Sequence, residues 1–288
     1  MLVLVTGATG EVGRRFVPRL LQHSGGPGDA VRVLVRDGTR GEPFAALGAQ
    51  VAVGELRDPE AVRKAVAGAD AVVNIAAAFR HGEAADEVWA VNRDAALGLA
   101  RAALDAGAGR FVQVSTNLVY GPGHGRPATE DDLPDPDPAW GAYPASKAAA
   151  EQELLALHRE QGLDLRIGRL AYVYGEGDPH LAQSLRFAAS WAAHKPMQLV
   201  HHADVAQGLL RLLRAPGVAG RTYNIADDAP ASAAVLLALN GAELPEGMAD
   251  RPLPDPWEGV VSTLRIRDEL GFRPIHPSVW TARDAGAL

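Results

Sequence analysis

The chain has 288 residues, of which 47% are hydrophobic and 22% charged, with a formal net charge of −7 and no cysteine. That length and composition suit a globular protein with one large domain and an added lobe; the negative charge and the lack of a lysine-rich tract argue against a nucleic-acid partner, and the lack of cysteine excludes disulfides, thiolate catalysis and cysteine-bound zinc. The N-terminal apolar run is too short for a secretory leader and nothing resembles a membrane span, so the protein is expected in the cytoplasm with no membrane partner.

The first stretch organises the rest. Val3-Leu4-Val5 leads straight into Thr6-Gly7-Ala8-Thr9-Gly10-Glu11-Val12-Gly13, and an amphipathic segment runs to Gln22. This reads as strand, tight turn, helix. Glycines let the backbone take positive φ and let another group approach closely. A helix that starts there aims its free N–H groups and positive dipole end at the gap, which suits a phosphate. Strand-like runs follow at 31–35, 50–53, 71–75, 110–115 and within 163–170, with helical stretches near 11–22, 59–67, 85–107 and 142–161. This alternation predicts an α/β fold: a doubly wound parallel sheet (Rossmann) with ligands at the C-terminal edge of the strands. Helices are expected over 180–193 and 203–214, and one more strand over 221–226. Residues 227–288 are proline-rich with short helical pieces. The expected organisation is a dinucleotide-binding domain from 1–170 plus 201–226, and a small discontinuous C-terminal substrate lobe from 171–200 plus 227–288.

At the end of the second strand an acidic side chain accepts from a free ribose 2′-hydroxyl, whereas an arginine accommodates a 2′-phosphate. Here the strand ends Val35-Arg36-Asp37, with Arg14 and Arg15 just past the glycine turn. Arg36 favours NADP; Asp37, one residue on, favours NAD. Three pieces converge on the crevice: Ser115-Thr116 ending the fifth strand, the segment Tyr143-Pro144-Ala145-Ser146-Lys147 opening the long helix, and the glycine turn. Tyrosine and lysine four apart share one helix face. An ammonium nearby favours the ionised phenol, so the Tyr143 pKa is expected to fall, fitting it to pass protons to or from a hydroxyl or carbonyl. Thr116 is placed to hold the reacting oxygen. The basic residues include only three lysines, Lys64, Lys147 and Lys195; in such an arginine-rich chain a lysine at this point is unlike a casual surface cation.

With these residues in view, the chain resembles an extended short-chain dehydrogenase/reductase of the NAD-dependent epimerase/dehydratase family. The resemblance is carried by residues 6–13, by Asp70-Ala71-Val72-Val73-Asn74-Ile75-Ala76-Ala77, by Asn92, by residues 114–121, by Tyr143 to Lys147, by Arg169 to Gly175 and by Asp204-Val205-Ala206. It implies an enzyme with a Thr116, Tyr143, Lys147 triad: Tyr143 the acid/base, Lys147 on the nicotinamide ribose and tuning the tyrosine, Thr116 orienting the substrate oxygen, Asn92 supporting the site from behind. Candidate cofactor-binding residues are Gly7, Thr9, Gly10, Glu11, Val12, Arg36, Ala76, Asn92, Tyr143 and Lys147. Candidate substrate-binding residues are Phe79, Thr116, Asn117 and Tyr172, with Arg80 and His81 beside Phe79. Relatives often dimerise through the long helices, so 85–107 and 142–161 are expected to form a homodimer interface.

The sequence departs from the nucleotide-sugar members of that family. Asn117 and Leu118 replace the acidic pair that dehydratases carry after the threonine. Tyr172 stands where an asparagine often contacts the substrate phosphate, and Asn74 where a histidine is common. Only about two dozen residues separate Gly175 from His201, with no evident arginine for a diphosphate. The expected partner is a small-molecule substrate, and the expected reaction is hydride transfer at a secondary alcohol or ketone of a sugar-like compound. The alternatives are a simple NADP-dependent reductase of a smaller carbonyl or polyol, and a non-catalytic nicotinamide-binding sensor. His201-His202-Ala203-Asp204 lacks metal-ligand spacing, since adjacent histidines point different ways, and no metal is expected. No Gly-x-Ser-x-Gly elbow is present.

Overall fold

Seven of the apolar runs become the strands of one parallel sheet in the computed structural model, which describes residues 1–23, 26, 29–79 and 83–288. In chain order the elements are β1 (Leu2–Thr6), α1 (Glu11–His23), β2 (Ala30–Val35), α2 (Glu42–Ala46), β3 (Gln50–Val53), α3 (Pro59–Val66), β4 (Ala71–Asn74), α4 (Ala85–Trp89), α5 (Ala96–Asp105), β5 (Arg110–Thr116), α6 (Ala142–Gln161) and β6 (Leu165–Leu170). They continue with β7 (Tyr172–Tyr174), α7 (His180–Gln183), α8 (Leu185–Ala188), β8 (Pro196–Met197), β9 (Leu199–His201), α9 (His202–Arg214), β10 (Arg221–Ile225), β11 (Ala231–Ser232), α10 (Ala233–Leu239), α11 (Leu264–Leu270) and α12 (Val279–Asp284). The strand order is β10-β6-β5-β4-β1-β2-β3. The strands are nearly continuous apolar runs because helices cover both faces. Right-handed crossovers place α3, α5 and α6 on one face and α1 and α9 on the other. The order reverses between β1 and β4, and a crevice opens there beyond the strand ends.

Phe16, Val17 and Leu20 of α1 pack with Leu209, Leu212 and Leu213 of α9 beneath Val3 and Val5. Leu99 and Ala103 of α5 and Leu154 of α6 pack against Leu4, Val72 and Phe111. A third apolar cluster lies apart from both: Tyr174, Ala188, Leu199, Leu236, Met248, Val279 and Ala282. It is held by two small pairings that the sequence pattern did not show, β7 with β9 in parallel and β8 with β11 antiparallel. No helix among the described residues is long and apolar enough to cross a membrane.

Two predicted helices come out broken. The run 85–107 carries a π-helical turn over Ala90–Ala95 between α4 and α5, where the buried Asn92 side chain leaves the helix to bind the main chain of Ala78. The run 180–193 divides into α7 and α8 at Ser184, whose hydroxyl donates back to Leu181 O at 2.6 Å, a side-chain bond that competes with helix continuation. Helix α6 is whole, and its position is fixed by a buried ion pair with β6: Arg169 Nη2 lies 2.6 Å from Glu151 Oε2. The Arg169 guanidinium also sits 4.5 Å over the Tyr120 ring.

Beyond β10, Asp227 is buried, and burial pushes its carboxyl up to about 9. Oδ1 accepts from Gln198 Nε2 at 3.1 Å, while Oδ2 has no hydrogen-bond partner. Between about pH 4, where an unfolded aspartate titrates, and pH 9 the native state keeps a proton that the unfolded chain releases. Stability is therefore greatest below pH 4 as far as this group is concerned, and falls as the pH rises through that window. Asp227→Asn should flatten the fall and raise the thermal midpoint at pH 8 by roughly 2–4 °C, equivalent to about 1 kcal/mol; calorimetry of both proteins at pH 5 and pH 8 checks this.

Candidate active site

The turn between β1 and α1 is built so that only glycine fits. Gly7 has φ of +70°, and a Cβ there would lie 2.5 Å from Ala76 N. A Cβ on Gly13 would lie 2.2 Å from Gly7 O. The turn thus packs down on the segment after β4 through Gly7 and onto itself through Gly13. Gly10 differs. It is exposed, and a Cβ there would meet only Gly7 O, at 3.4 Å. Gly10 directly precedes α1, and the leading N–H groups of a helix have no helical acceptor. These features fit a dinucleotide: Gly7, Thr9, Gly10 and the Glu11 and Val12 amides would hold its pyrophosphate, with Ala76 as the wall behind.

A row of buried polar side chains runs from this turn through the sheet. Thr6 Oγ1 donates to Asn74 Oδ1 at 2.5 Å, Asn74 Nδ2 to Gln113 Oε1 at 2.9 Å, and Gln113 Nε2 to Val114 O at 2.8 Å. Lys147 Nζ donates to the same carbonyl at 3.1 Å. Lys147 is 2% exposed. Burial pushes its ammonium down to about 8, against the raising effect of Glu151. Gln113 was not singled out from the sequence; its signal is a lone polar residue in an otherwise apolar central strand.

The Thr116 hydroxyl acts to lower the Tyr143 phenol, but burial outweighs it and pushes the phenol up to about 12. The expected lowering of Tyr143 by Lys147 is therefore corrected: the ammonium turns to Val114 O, and the phenol stays protonated at neutral pH. The start of α6 is clamped from behind by Asn92, which is fully buried. Its Nδ2 donates to Ala78 O at 2.9 Å and to Ser146 Oγ at 3.1 Å, its Oδ1 accepts from Ala78 N at 2.8 Å, and Ser146 Oγ donates to Tyr143 O at 2.9 Å.

The arginines after the glycine turn divide. Arg15 is drawn away, donating to Glu11 and to Glu176 O, and Arg14 pairs with Glu11 at 2.6 Å. Arg36 is exposed at the end of β2. Asp37, also exposed, caps the turn that follows it, accepting from Thr39 N at 3.0 Å and Thr39 Oγ1 at 2.8 Å. Arg40, not anticipated, reaches across to Thr9 O at 3.3 Å.

The candidate substrate residues form two groups. Phe79 is half exposed, and its ring centre lies 5.9 Å from that of Tyr143 and 5.8 Å from that of His180. Tyr172 packs edge-on to His180 and Phe187, and its hydroxyl donates to His180 O at 2.7 Å. An aromatic wall therefore runs from Tyr143 into the small lobe. Asn117, at the other end of the site, donates from Nδ2 to Gly259 O at 2.9 Å and ties the end of β5 to the C-terminal segment. Arg80 and His81 lie outside the described residues. His201, His202 and Asp204 point apart, to Ala287 O, to Asp178 and to the Ile275 and His276 amides.

The model of the NAD dependent epimerase/dehydratase family matches residues 3–226. The chain belongs to this family. Like its relatives it is a nicotinamide-dinucleotide-dependent enzyme of the extended short-chain dehydrogenase/reductase class, with the parallel sheet expected of it. A 4-hydroxy-2-methyl-3-oxo-4-farnesyl-3,4-dihydroquinoline-1-oxide ketoreductase from Stigmatella aurantiaca is 32% identical over 250 residues, spanning 83% of this chain and 72% of that one. A dTDP-glucose 4,6-dehydratase from Streptomyces griseus is 32% identical over 297 residues, spanning 94% and 89%. Among solved structures, the dTDP-glucose 4,6-dehydratase DesIV from Streptomyces venezuelae, with NAD bound, superposes with a TM-score of 0.77 at 28% identity, over 99% of this chain and 97% of that one. In this family member the two glycine constraints separate fold from ligand. Gly13→Ala should lower the thermal midpoint sharply, by about 2 kcal/mol or more. Gly10→Ala should leave the midpoint within about 1 °C, since its Cβ meets only a 3.4 Å neighbour, yet weaken dinucleotide binding about tenfold or more where the backbone approaches the pyrophosphate. Calorimetry and titration of intrinsic fluorescence with the dinucleotide separate the two.

Proposed function

We propose that the protein is an NAD(P)-dependent reductase or dehydrogenase that transfers hydride at a ketone or secondary alcohol of a small carbonyl compound. The observation that carries this reading is the buried Lys147, its Nζ steadied on Val114 O, one helical turn beyond a Tyr143 phenol that senses the Thr116 hydroxyl. A bound nicotinamide supplies or accepts the hydride. Tyr143 donates its proton to the carbonyl oxygen, a role that suits a phenol protonated throughout the neutral range. Thr116 holds the same oxygen in position. Lys147, with its charge at neutral pH and its Nζ steadied on Val114 O, binds the nicotinamide ribose and stabilises the phenolate that forms.

The dTDP-glucose dehydratase relatives favour a second reading, in which the same three residues oxidise a sugar carbon and return the hydride. Elimination is disfavoured in that reading. Leu118 has no proton to move, and Asn117 is neutral with its amide tied to Gly259. For the cofactor we favour NADP. Arg36 and Arg40 flank the place of the adenosine ribose, and Asp37 is turned into its own turn.

Tyr143→Phe should lower kcat/KM for ketone reduction about 100- to 10,000-fold while NADPH dissociation constants stay within about threefold; equal turnover by the variant sinks the redox reading. Arg36→Ala combined with Arg40→Ala should raise KM for NADPH about 10- to 100-fold, the loss of charge-assisted contacts to a phosphate, and move KM for NADH by less than about threefold. The same rise for both dinucleotides points to NAD.

A further inference from the structure

One cluster at the cleft has no part in the hydride chemistry. Asp178 is fully buried at its carboxylate. Its Oδ1 accepts from the His180 main-chain N at 2.7 Å and lies 2.6 Å from His180 Nδ1. Its Oδ2 lies 2.7 Å from His202 Nε2, with Arg15 Nη1 3.8 Å away. Burial opposes charge on this carboxyl, yet the contacts with His180 and His202 outweigh burial and hold it well below the ordinary range. The loop that carries Asp178 is itself pinned, since Arg15 Nη2 donates to Glu176 O at 2.6 Å and Tyr172 OH to His180 O at 2.7 Å. The result is an imidazole whose Nδ1 lies against the Asp178 carboxylate without a hydrogen bond to it, its side chain 18% exposed. Phe79 stands between this ring and Tyr143, less than 6 Å from each by ring centres.

The geometry points to His180 as a specificity residue: its Nε2, on the ring edge away from Asp178, receives a hydrogen-bonding group of the substrate on the side remote from the reacting carbon. The substrate class follows from the spacing. A ring that stacks on Phe79 with its carbonyl at Tyr143 carries its far substituent toward His180. The preferred substrate is therefore a cyclic or aromatic ketone with a hydroxyl or carboxylate across the ring from the carbonyl. This rests on the hydride-transfer reading above. An imidazole placed by its main-chain bonds to Asp178 and Tyr172 and by the rings of Phe79 and Tyr172 is a defined partner for such a group, and a bare ring leaves that partner unmatched.

The test compares 1-tetralone with 6-hydroxy-1-tetralone, by calorimetric binding to the NADP⁺-loaded protein and by NADPH oxidation. The native protein should bind and reduce the hydroxylated ketone about tenfold or more better, the difference lying in KM. His180→Ala should bring that ratio close to one. His180→Gln, which keeps a donor, should retain part of it and serves where the alanine variant is unstable. Phe79→Ala should weaken both ketones alike. An unchanged ratio in both His180 variants, equal weakening of both ketones by them, or no binding of either ketone by the native protein overturns the assignment. A ratio that collapses in binding without any NADPH oxidation by the native protein overturns the redox reading and leaves the assignment standing. Equal oxidation with both ketones does the reverse.

Discussion

A lysine ammonium buried to 2% exposure is the constraint around which this molecule is arranged. Desolvation disfavours its charge, and the protein answers with dipoles more than with a counter-ion. Val114 O accepts from Nζ, and the same carbonyl accepts from Gln113, which is held by Asn74, which is held by Thr6. Glu151, one turn along α6, raises the lysine pKa but is itself bound by Arg169 on three contacts. The balance leaves the ammonium near pKa 8, charged at neutral pH yet close to release. A free carboxylate beside Nζ would hold the charge more firmly and compete for the ribose hydroxyls that a dinucleotide brings. The neutral chain of amides orients the lysine without that competition.

Helix α6 turns that constraint into geometry. Tyr143, Ser146, Lys147 and Glu151 follow one another at helical spacing on one face. Ser146 meets Asn92 from the π-helical turn, Lys147 meets Val114 of β5, and Glu151 meets Arg169 of β6. Three anchors on one face fix both the rotation and the depth of the helix. The break in the helix before α5 belongs to the same arrangement. A regular helix would keep the Asn92 side chain beside its own backbone, whereas the π turn lets it reach Ala78 and Ser146 together.

The strands and the glycine turn were legible because they obey local rules. Apolar runs of four to seven residues, separated by helices, leave few options other than a parallel sheet, and Gly7 and Gly13 answer to backbone contacts that permit no side chain. The shared helix face of Tyr143 and Lys147 was legible because of their four-residue spacing and because lysine is rare in this chain. Other features depend on contacts between distant residues, and no local pattern announces them. The fate of Arg15 is set by Glu176, 161 positions away. The break at Ser184 comes from one hydroxyl choosing a carbonyl. The Tyr143 pKa moved opposite to expectation because i,i+4 spacing fixes a shared face but not where a four-carbon side chain ends; Lys147 took the nearest carbonyl, and desolvation of the phenol prevailed.

The same distinction separates the chemistry this chain keeps from the chemistry it has set aside. Hydride transfer needs a proton donor, an orienting hydroxyl and a cation, and all three sit on rigid elements at the crevice. Elimination after oxidation needs further groups able to take and give protons beside the threonine. At that point the chain has placed a neutral amide whose donor ties the sheet edge to Gly259, and a leucine. Asn117 has become a structural tie in the place where an acidic residue would have to remain free. Meanwhile the opposite wall, from Phe79 through His180 to Tyr172, presents rings and one anchored imidazole. A flat ring finds stacking surface there; Arg186 lies 5.9 Å from the centre of the Phe187 ring beside Tyr172, while Arg15 is bound to Glu11 and Glu176. The proposed reduction of a compact ketone thus rests on a site with a neutral amide on one flank and aromatic surface on the other.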